Sequence, residues 1–265
     1  MNSSSLRRPT RPSATTSRST SPGSARTSSF AASPASSWVS RRPRPPALLK
    51  LSGDCFEQPA LLDSITDQLA QVSRRGTRVA IVIGGGNVVR GRNSDPDDRL
   101  AADRAGMLAT VINGIRLAAV LSRHLPVRHL AAFEIPGIAA GYSVETGEEA
   151  LADGRILILS GGTGNPFFST DSAAALRAAE LGASLILKGT RVRGVFSADP
   201  EKNPSARFYP RLTYARALSE RLEVMDPAAF ALCMEHRIPI VVFDIRRPKA
   251  IIDIIAGKRI GSRIC

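Results

Sequence analysis

From residue 47 to its end the sequence repeats one local pattern. A short apolar run leads into a turn rich in glycine or hydroxyl groups, and a stretch with apolar residues at helical spacing follows. Residues 78–83 (RVAIVI) are the clearest case, a near-continuous β-branched run with Gly84, Gly85 and Gly86 directly behind it. A run with no polar face suits a strand buried on both sides, the habit of parallel sheets. Similar runs lie at 47–52, 155–159, 184–187 and 238–243, with a weaker one at 127–133. Between the first two, Leu61, Leu62, Ile65, Leu69 and Val72 recur at helical spacing across 60–74. Further helices are expected over 100–121, 171–181, 212–220, 226–235 and 250–256, and 148–153 is expected to end a short one. Strands alternating with helices predict an α/β fold, a three-layer sandwich with a mostly parallel central sheet covered on both faces. No linker or internal repeat divides 47–265, so one domain is expected there.

Residues 1–46 differ in kind. They hold eight arginines, fourteen serines and seven prolines, with no lysine and no acidic residue. The chain's net charge of +13 therefore divides into +8 here and +5 in the remainder, where 28 basic residues face all 23 acidic ones. Such a composition cannot offset the entropy of ordering, and a disordered extension is expected. Three origins fit it: an organelle transit peptide, a basic tail that touches nucleic acid or membrane, or translated upstream sequence. It has no apolar segment before a small-residue cleavage site, so a secretory signal is not expected. Three cysteines in 265 residues exclude a disulfide-stapled fold. No run approaches ~18 consecutive apolar residues, so no membrane-spanning helix is expected. Aromatics are only 5% and the body's arginines are dispersed, which argues against a nucleic-acid module.

In doubly covered sheets, ligands bind beyond the carboxyl ends of the strands. Four segments fall there. Lys50-Leu51-Ser52-Gly53 sets a lysine beside small residues, suited to a phosphate. Residues 83–92 (IGGGNVVRGR) let the backbone approach an anion closely, with Arg90 able to hold it bidentately. The spacing is neither that of a dinucleotide-binding GxGxxG nor of GxxxxGK[ST], and a plain glycine turn is the alternative. Residues 161–171 (GGTGNPFFSTD) join three hydroxyls, an amide, a ring pair and a carboxylate, with Ser169 or Thr170 able to cap the following helix. Residues 188–200 (KGTRVRGVFSADP) place Lys188 at a strand end and Thr190, Phe196 and Asp199 as the lining of a second nucleotide pocket. Two phosphate-binding loops with lysine, arginine and aspartate fit phosphoryl transfer, where catalysis is positioning and charge neutralisation. Asp171 or Asp226 would orient the lysines or help hold Mg²⁺. The histidines (His124, His129, His236) and cysteines (Cys55, Cys233, Cys265) lack metal-ligand spacing, and no metal ligand is assigned.

At these residues the sequence resembles the bacterial-type uridylate kinases of the amino-acid-kinase superfamily. The resemblance covers 48–264 and rests on LLKLSG (48–53), VIGGGNVVRG (82–91), MLATVINGIRL (107–117), GTGNPFFSTD (162–171) and LKGTRVRGVFSADP (187–200), extended by LTYARAL (212–218) and VMDPAAF (224–230). It implies the reaction ATP + UMP giving ADP + UDP with Mg²⁺. Lys50, Leu51, Ser52, Gly53, Gly86 and Arg90 would face the ATP phosphates, and Thr190, Phe196 and Asp199 the rest of ATP. Gly85, Asp103, Thr163, Gly164, Asn165, Pro166, Phe167, Phe168, Ser169 and Thr170 would contact UMP. Lys50, Arg90, Asp171, Lys188 and Asp226 would be the catalytic group. The resemblance further implies a cytoplasmic homohexamer activated by GTP and inhibited by UTP, or a plastid enzyme if 1–46 is a transit peptide. The chain departs from the pattern in a short 54–59 loop, in Arg193 where an acidic residue is usual, in Ser169 for threonine, and across 134–147. Two other readings remain: a superfamily member forming an acyl phosphate, and a non-catalytic nucleotide-binding regulator.

Overall fold

The computed structural model describes residues 44–89, 98–222 and 224–265. Arg90 and the stretch 1–43 lie outside them. The chain opens with β1 (Ala47–Leu51), a 3-10 turn (Gly53–Glu57), α1 (Pro59–Arg74), β2 (Val79–Ile83) and α2 (Arg99–Leu121). Next come β3 (Val127–Ala131), β4 (Ala140–Gly141), α3 (Val144–Ala152), β5 (Ile156–Ser160), α4 (Thr170–Glu180) and β6 (Leu185–Thr190). The remainder is β7 (Val195–Phe196), β8 (Phe208–Tyr209), β9 (Arg211–Leu212), α5 (Tyr214–Ser219), α6 (Pro227–Glu235), β10 (Ile240–Asp244), α7 (Ala250–Ile255) and β11 (Ser262–Ile264).

Nine strands form one sheet in the order β4-β3-β5-β2-β1-β6-β10-β11-β9, and β7 pairs with β8 alone. Within the large sheet every pairing is parallel except β10 with β11. Side chains alternate between its faces. Leu48, Ala80, Leu157, Ile186 and Ile240 meet α3, α4, α5 and α6 on one side. Leu49, Ile81, Ile158, Leu187 and Val241 meet α1, α2 and α7 on the other. Each fully buried leucine or isoleucine contributes about 1.5–3 kcal/mol. On α4 the packed face is Ala173, Ala174, Ala175 and Ala178, small enough to bring the helix close to the sheet. The alternation also fixes Lys50 on the face of Leu48 and Lys188 on that of Ile186, towards α4.

Several boundaries depart from the sequence expectations. Lys188 lies inside β6, because pairing with β10 continues through Gly189 and Thr190. α3 ends in the expected 148–153 stretch and begins at Val144, where Ser143 and Thr146 form a reciprocal capping box that the weak helix formers Val144 and Gly147 conceal. The expected helix 212–220 divides, with Leu212 in β9 and Thr213 capping α5. The unexpected β4, β7, β8, β9 and β11 are two or three residues long, too short to show a period. Against the expectation from apolar runs, α2 is long and apolar enough to cross a membrane by length and composition. Here its Thr110, Asn113, Gly114, Leu117 and Leu121 are buried.

Candidate active site

β1 and β6 are neighbours, and their register sets Lys50 directly beside Lys188. Two like charges so placed repel. Asp171, in the first turn of α4, answers both: Lys188 Nζ lies 2.6 Å from Oδ2 and Lys50 Nζ 3.1 Å from Oδ1. Asp171 thus has an ammonium group at each carboxylate oxygen. Burial works to raise the Asp171 carboxyl, but the two ammonium groups outweigh it and hold the carboxyl below its ordinary value. Burial, with Lys50 beside it, pushes Lys188 below the ordinary lysine value despite the attraction of Asp171. Lys188 also donates to the Val224 carbonyl.

Caps place Asp171. Ser169 Oγ accepts from Asp171 N at 3.0 Å and Ser172 N at 3.2 Å, so α4 starts at Thr170, one residue before the expected start. Ser169 in turn donates to Asp226 Oδ2, and Ser172 Oγ donates to the same carboxylate at 2.9 Å. Asp226 Oδ1 accepts from Ala229 N at 2.9 Å, capping α6. Asp226 thus locks α4 to α6. Among the described residues its hydrogen bonds reach neither lysine.

The glycine loops meet α2. Gly85 is buried against it: a Cβ there would stand 2.8 Å from Ala109 Cβ and 2.9 Å from the Gly106 carbonyl oxygen. Gly53 is bare because a Cβ would fall 2.1 Å from Asn87 Oδ1. Asn113 Nδ2 donates to Gly84 O and to Asn87 Oδ1, both at 2.7 Å. Thr110 Oγ1 accepts from Gly161 N at 2.7 Å. At the helix start, Asp103 Oδ2 accepts from Phe167 N at 2.8 Å and from Arg99 Nε at 2.9 Å. Phe167 holds a positive φ of 70° and is 63% exposed, and Phe168 is 54% exposed. Thr163 Oγ1 accepts from Asn165 N at 3.2 Å and closes the loop tip.

Two cavities open at the carboxyl ends of the strands. One of about 580 Å³ is lined by Lys188, Thr190, Phe196, Asp199, Leu222 and Val224, among others. Phe196 stacks at a tilt on Phe208, 5.3 Å between centroids, and the Arg193 guanidinium sits 4.4 Å from the Phe208 ring centre. A smaller one of about 240 Å³ is lined by Lys50, Ser52, Asp54, Lys188, Thr190 and Arg191, among others. Lys188 and Thr190 line both.

A sequence model of the amino acid kinase family matches residues 46–244. The uridylate kinase of Methylococcus capsulatus is 44% identical over 225 residues, covering 81% of this chain and 94% of that protein. That of Legionella pneumophila (strain Lens) is 42% identical over the same length, covering 91% of that protein. The chain belongs to the uridylate kinases of the amino acid kinase family. Its fold is shared with solved members: UMP kinase from Ureaplasma parvum (36% identity, TM-score 0.77, 83% of this chain and 98% of that chain covered). UMP kinase from Bacillus anthracis is likewise similar (34% identity, TM-score 0.79, 84% and 96% covered).

In this uridylate kinase family member the residues singled out by sequence fall into three places. Lys50, Asp171 and Lys188 form one cluster. Thr190, Phe196 and Asp199 share the larger cavity, and Ser52 lines the smaller one with the Leu51 backbone at its edge. The Leu51 side chain points into the core instead. Gly85 packs on α2 and Asp103 stands in it, holding the 163–170 loop through Phe167 N, while Ser169 and Thr170 sit at the start of α4 and Gly86 is exposed at its turn. Arg90 falls outside the described residues. No group of three or more His, Cys, Asp or Glu suited to a metal occurs among the described residues. Sequence reasoning missed Asn87, Thr110, Asn113 and Ser172. The available signal was Thr110 and Asn113, polar residues three apart on the otherwise apolar face of a long helix. Cys55 and Cys233 are buried, and burial pushes both thiols up to about 12, as suits packing residues.

Proposed function

We propose that the chain transfers the γ-phosphoryl group of ATP to UMP, giving ADP and UDP. The observation that carries this reading is the Lys50–Asp171–Lys188 cluster. It stands at the strand ends, between the Phe196–Asp199 cavity and the loop that ends at Asp171. A UMP phosphate oxygen attacks the γ-phosphorus while the bond to the β–γ bridging oxygen breaks. Such a transfer asks the protein for alignment and charge neutralisation rather than covalent work. Lys50 and Lys188 meet the charge on the transferring group, and Asp171 keeps the two ammonium groups in place. Asp226 fixes Asp171 through Ser169 and Ser172. Phe196 and Asp199 face ATP, while Asp103 and Thr163 to Thr170 face UMP. Arg90, Gly86, Ser52 and Gly53 belong to the phosphate side.

Mg²⁺ fits the donor set in its usual manner, held by substrate phosphates and one carboxylate. Asp171, the carboxylate of the lysine cluster, would be that ligand. The ion would supply charge neutralisation across the phosphates. We further propose a catalytic domain spanning 47–265 behind an extension of 1–46, in a cytoplasmic homohexamer with GTP activation and UTP inhibition. Support for assembly comes from the outer face of α2. Leu108, Ile112 and Ile115 are exposed at helical spacing there, an apolar stripe that a second copy would cover.

The test supplies UMP, CMP or AMP with ATP and Mg²⁺ and follows ADP release. UMP-preferring turnover is expected, and no turnover with any of the three overturns the reading. Light scattering reads the assembly state.

A further inference from the structure

Helix α2 carries a buried polar stripe that the phosphoryl-transfer chemistry does not itself use. Asn113 is fully buried and Thr110 is 4% exposed, both on the face turned to the sheet. A polar side chain in such a place is stable only when its hydrogen bonds are made. Each makes its bond to a ligand loop. Thr110 Oγ1 donates to Met107 O at 2.7 Å within its own helix, which aims its lone pair at Gly161 N, 2.7 Å away. Gly161 opens the 161–170 loop, and its φ of 76° is one that few other residues would hold. Asn113 Nδ2 holds Gly84 O and Asn87 Oδ1, and Asn87 Nδ2 returns a longer bond of 3.4 Å to Asn113 Oδ1. Gly84 N donates to Leu51 O at 2.9 Å, which joins this loop to the end of β1, next to Ser52 and Gly53. Asn87 and Asn113 also stand where a side chain on Gly53 would go.

We infer that Thr110 and Asn113 are positioning residues. Thr110 sets the UMP-side loop and Asn113 sets the Gly84–Asn87 and Ser52–Gly53 turns, so one rigid helix fixes the spacing between donor and acceptor nucleotides. The inference rests on the kinase reading for its consequence but not for its geometry. Three residues apart on one helix, the two side chains serve different loops, so their losses separate. Thr110→Val keeps the shape and removes the acceptor for Gly161 N, which affects UMP. Asn113→Ala frees the turns that both nucleotides share.

Two measurements test this. In the ligand-free protein, amide hydrogen exchange across residues 160–164 should quicken about tenfold in Thr110→Val and return to the parent rate in Thr110→Ser. In steady-state kinetics, Thr110→Val should raise KM for UMP about five- to tenfold, the scale of one lost hydrogen bond. It should leave kcat and KM for ATP within about twofold. Asn113→Ala should raise both KM values. If Asn113→Ala does not fold, Asn87→Ala removes one end of the same tie at a half-buried position and should move both KM values. Unchanged exchange in Thr110→Val overturns the inference, as does an equal effect on both KM values or failure of Thr110→Ser to restore them. So do unchanged KM values in whichever asparagine variant folds. An inactive parent enzyme overturns the kinase reading instead, and the exchange result stands apart from it.

Discussion

Replacing Asp171 with asparagine keeps the shape of the side chain and removes the charge between Lys50 and Lys188. At 2.6 Å and 3.1 Å, and an effective dielectric of about 20, the two attractions are worth about 6 and about 5 kcal/mol gross. Desolvation of all three groups offsets most of that. Removing one partner of a buried pair costs about 3–5 kcal/mol, because it leaves charge uncompensated. The side chains here are only 12–15% exposed, so solvent does little to screen them. Urea unfolding of Asp171→Asn should therefore show a stability lower by about 3–5 kcal/mol. Converting Lys188 to methionine in the same chain should recover a large part of the loss. The acid limb of the stability curve should change as well. The carboxyl sits below its ordinary value of 3.8 in the folded state, so its contribution is full above that value and lost as pH falls through the folded one. That loss should be absent from the asparagine variant. An Asp171→Asn protein within about 1 kcal/mol of the parent would refute the reasoning, since a buried pair cannot lose its shared anion so cheaply.

Lys50→Ala should lower kcat by at least ~10²-fold, the scale of one lost electrostatic stabiliser, in a steady-state assay with UMP and ATP; a parent-like rate removes Lys50 from the chemistry. His129, whose Nε2 lies 2.8 Å from Ser160 Oγ, is held below the ordinary value of 6.5 by burial. The unfolded chain then binds the extra proton more readily. Stability should be full above 6.5 and fall as pH drops through it, and thermal melts of His129→Gln between pH 7.5 and 5 should lose that component. Gly85→Ala drives a methyl group against Ala109 and the α2 backbone and should cost about 1–3 kcal/mol in urea unfolding. A neutral result would mean that the loop yields where the packing says it cannot.

Much of the fold was legible because its strands are unusually pure. β2 and β5 are buried at every position, and their only polar residue is Ser160 at the end of β5. The same purity marked the loops that follow, so Lys50, Gly85, Ser169 and Lys188 stood out by place and type. Short elements did not announce themselves. β7 and β8 are two residues each, yet they hold Phe196 against Phe208 at the larger cavity.

The sequence by itself determined the layers, the strand ends that bear glycine- and hydroxyl-rich loops, and the residue types available there. The tertiary structure alone decided which of them meet. Lys50 and Lys188 are 138 residues apart and become neighbours only through the parallel register of β1 and β6. Asp226 lies 54 residues beyond Ser172 and reaches it only because α6 packs on α4. Thr110 and Asn113 read locally as polar interruptions of an apolar helix. Their partners, Gly161 and Gly84, are set by packing between distant segments, and hydrophobic periodicity records which face is buried but not what it is buried against.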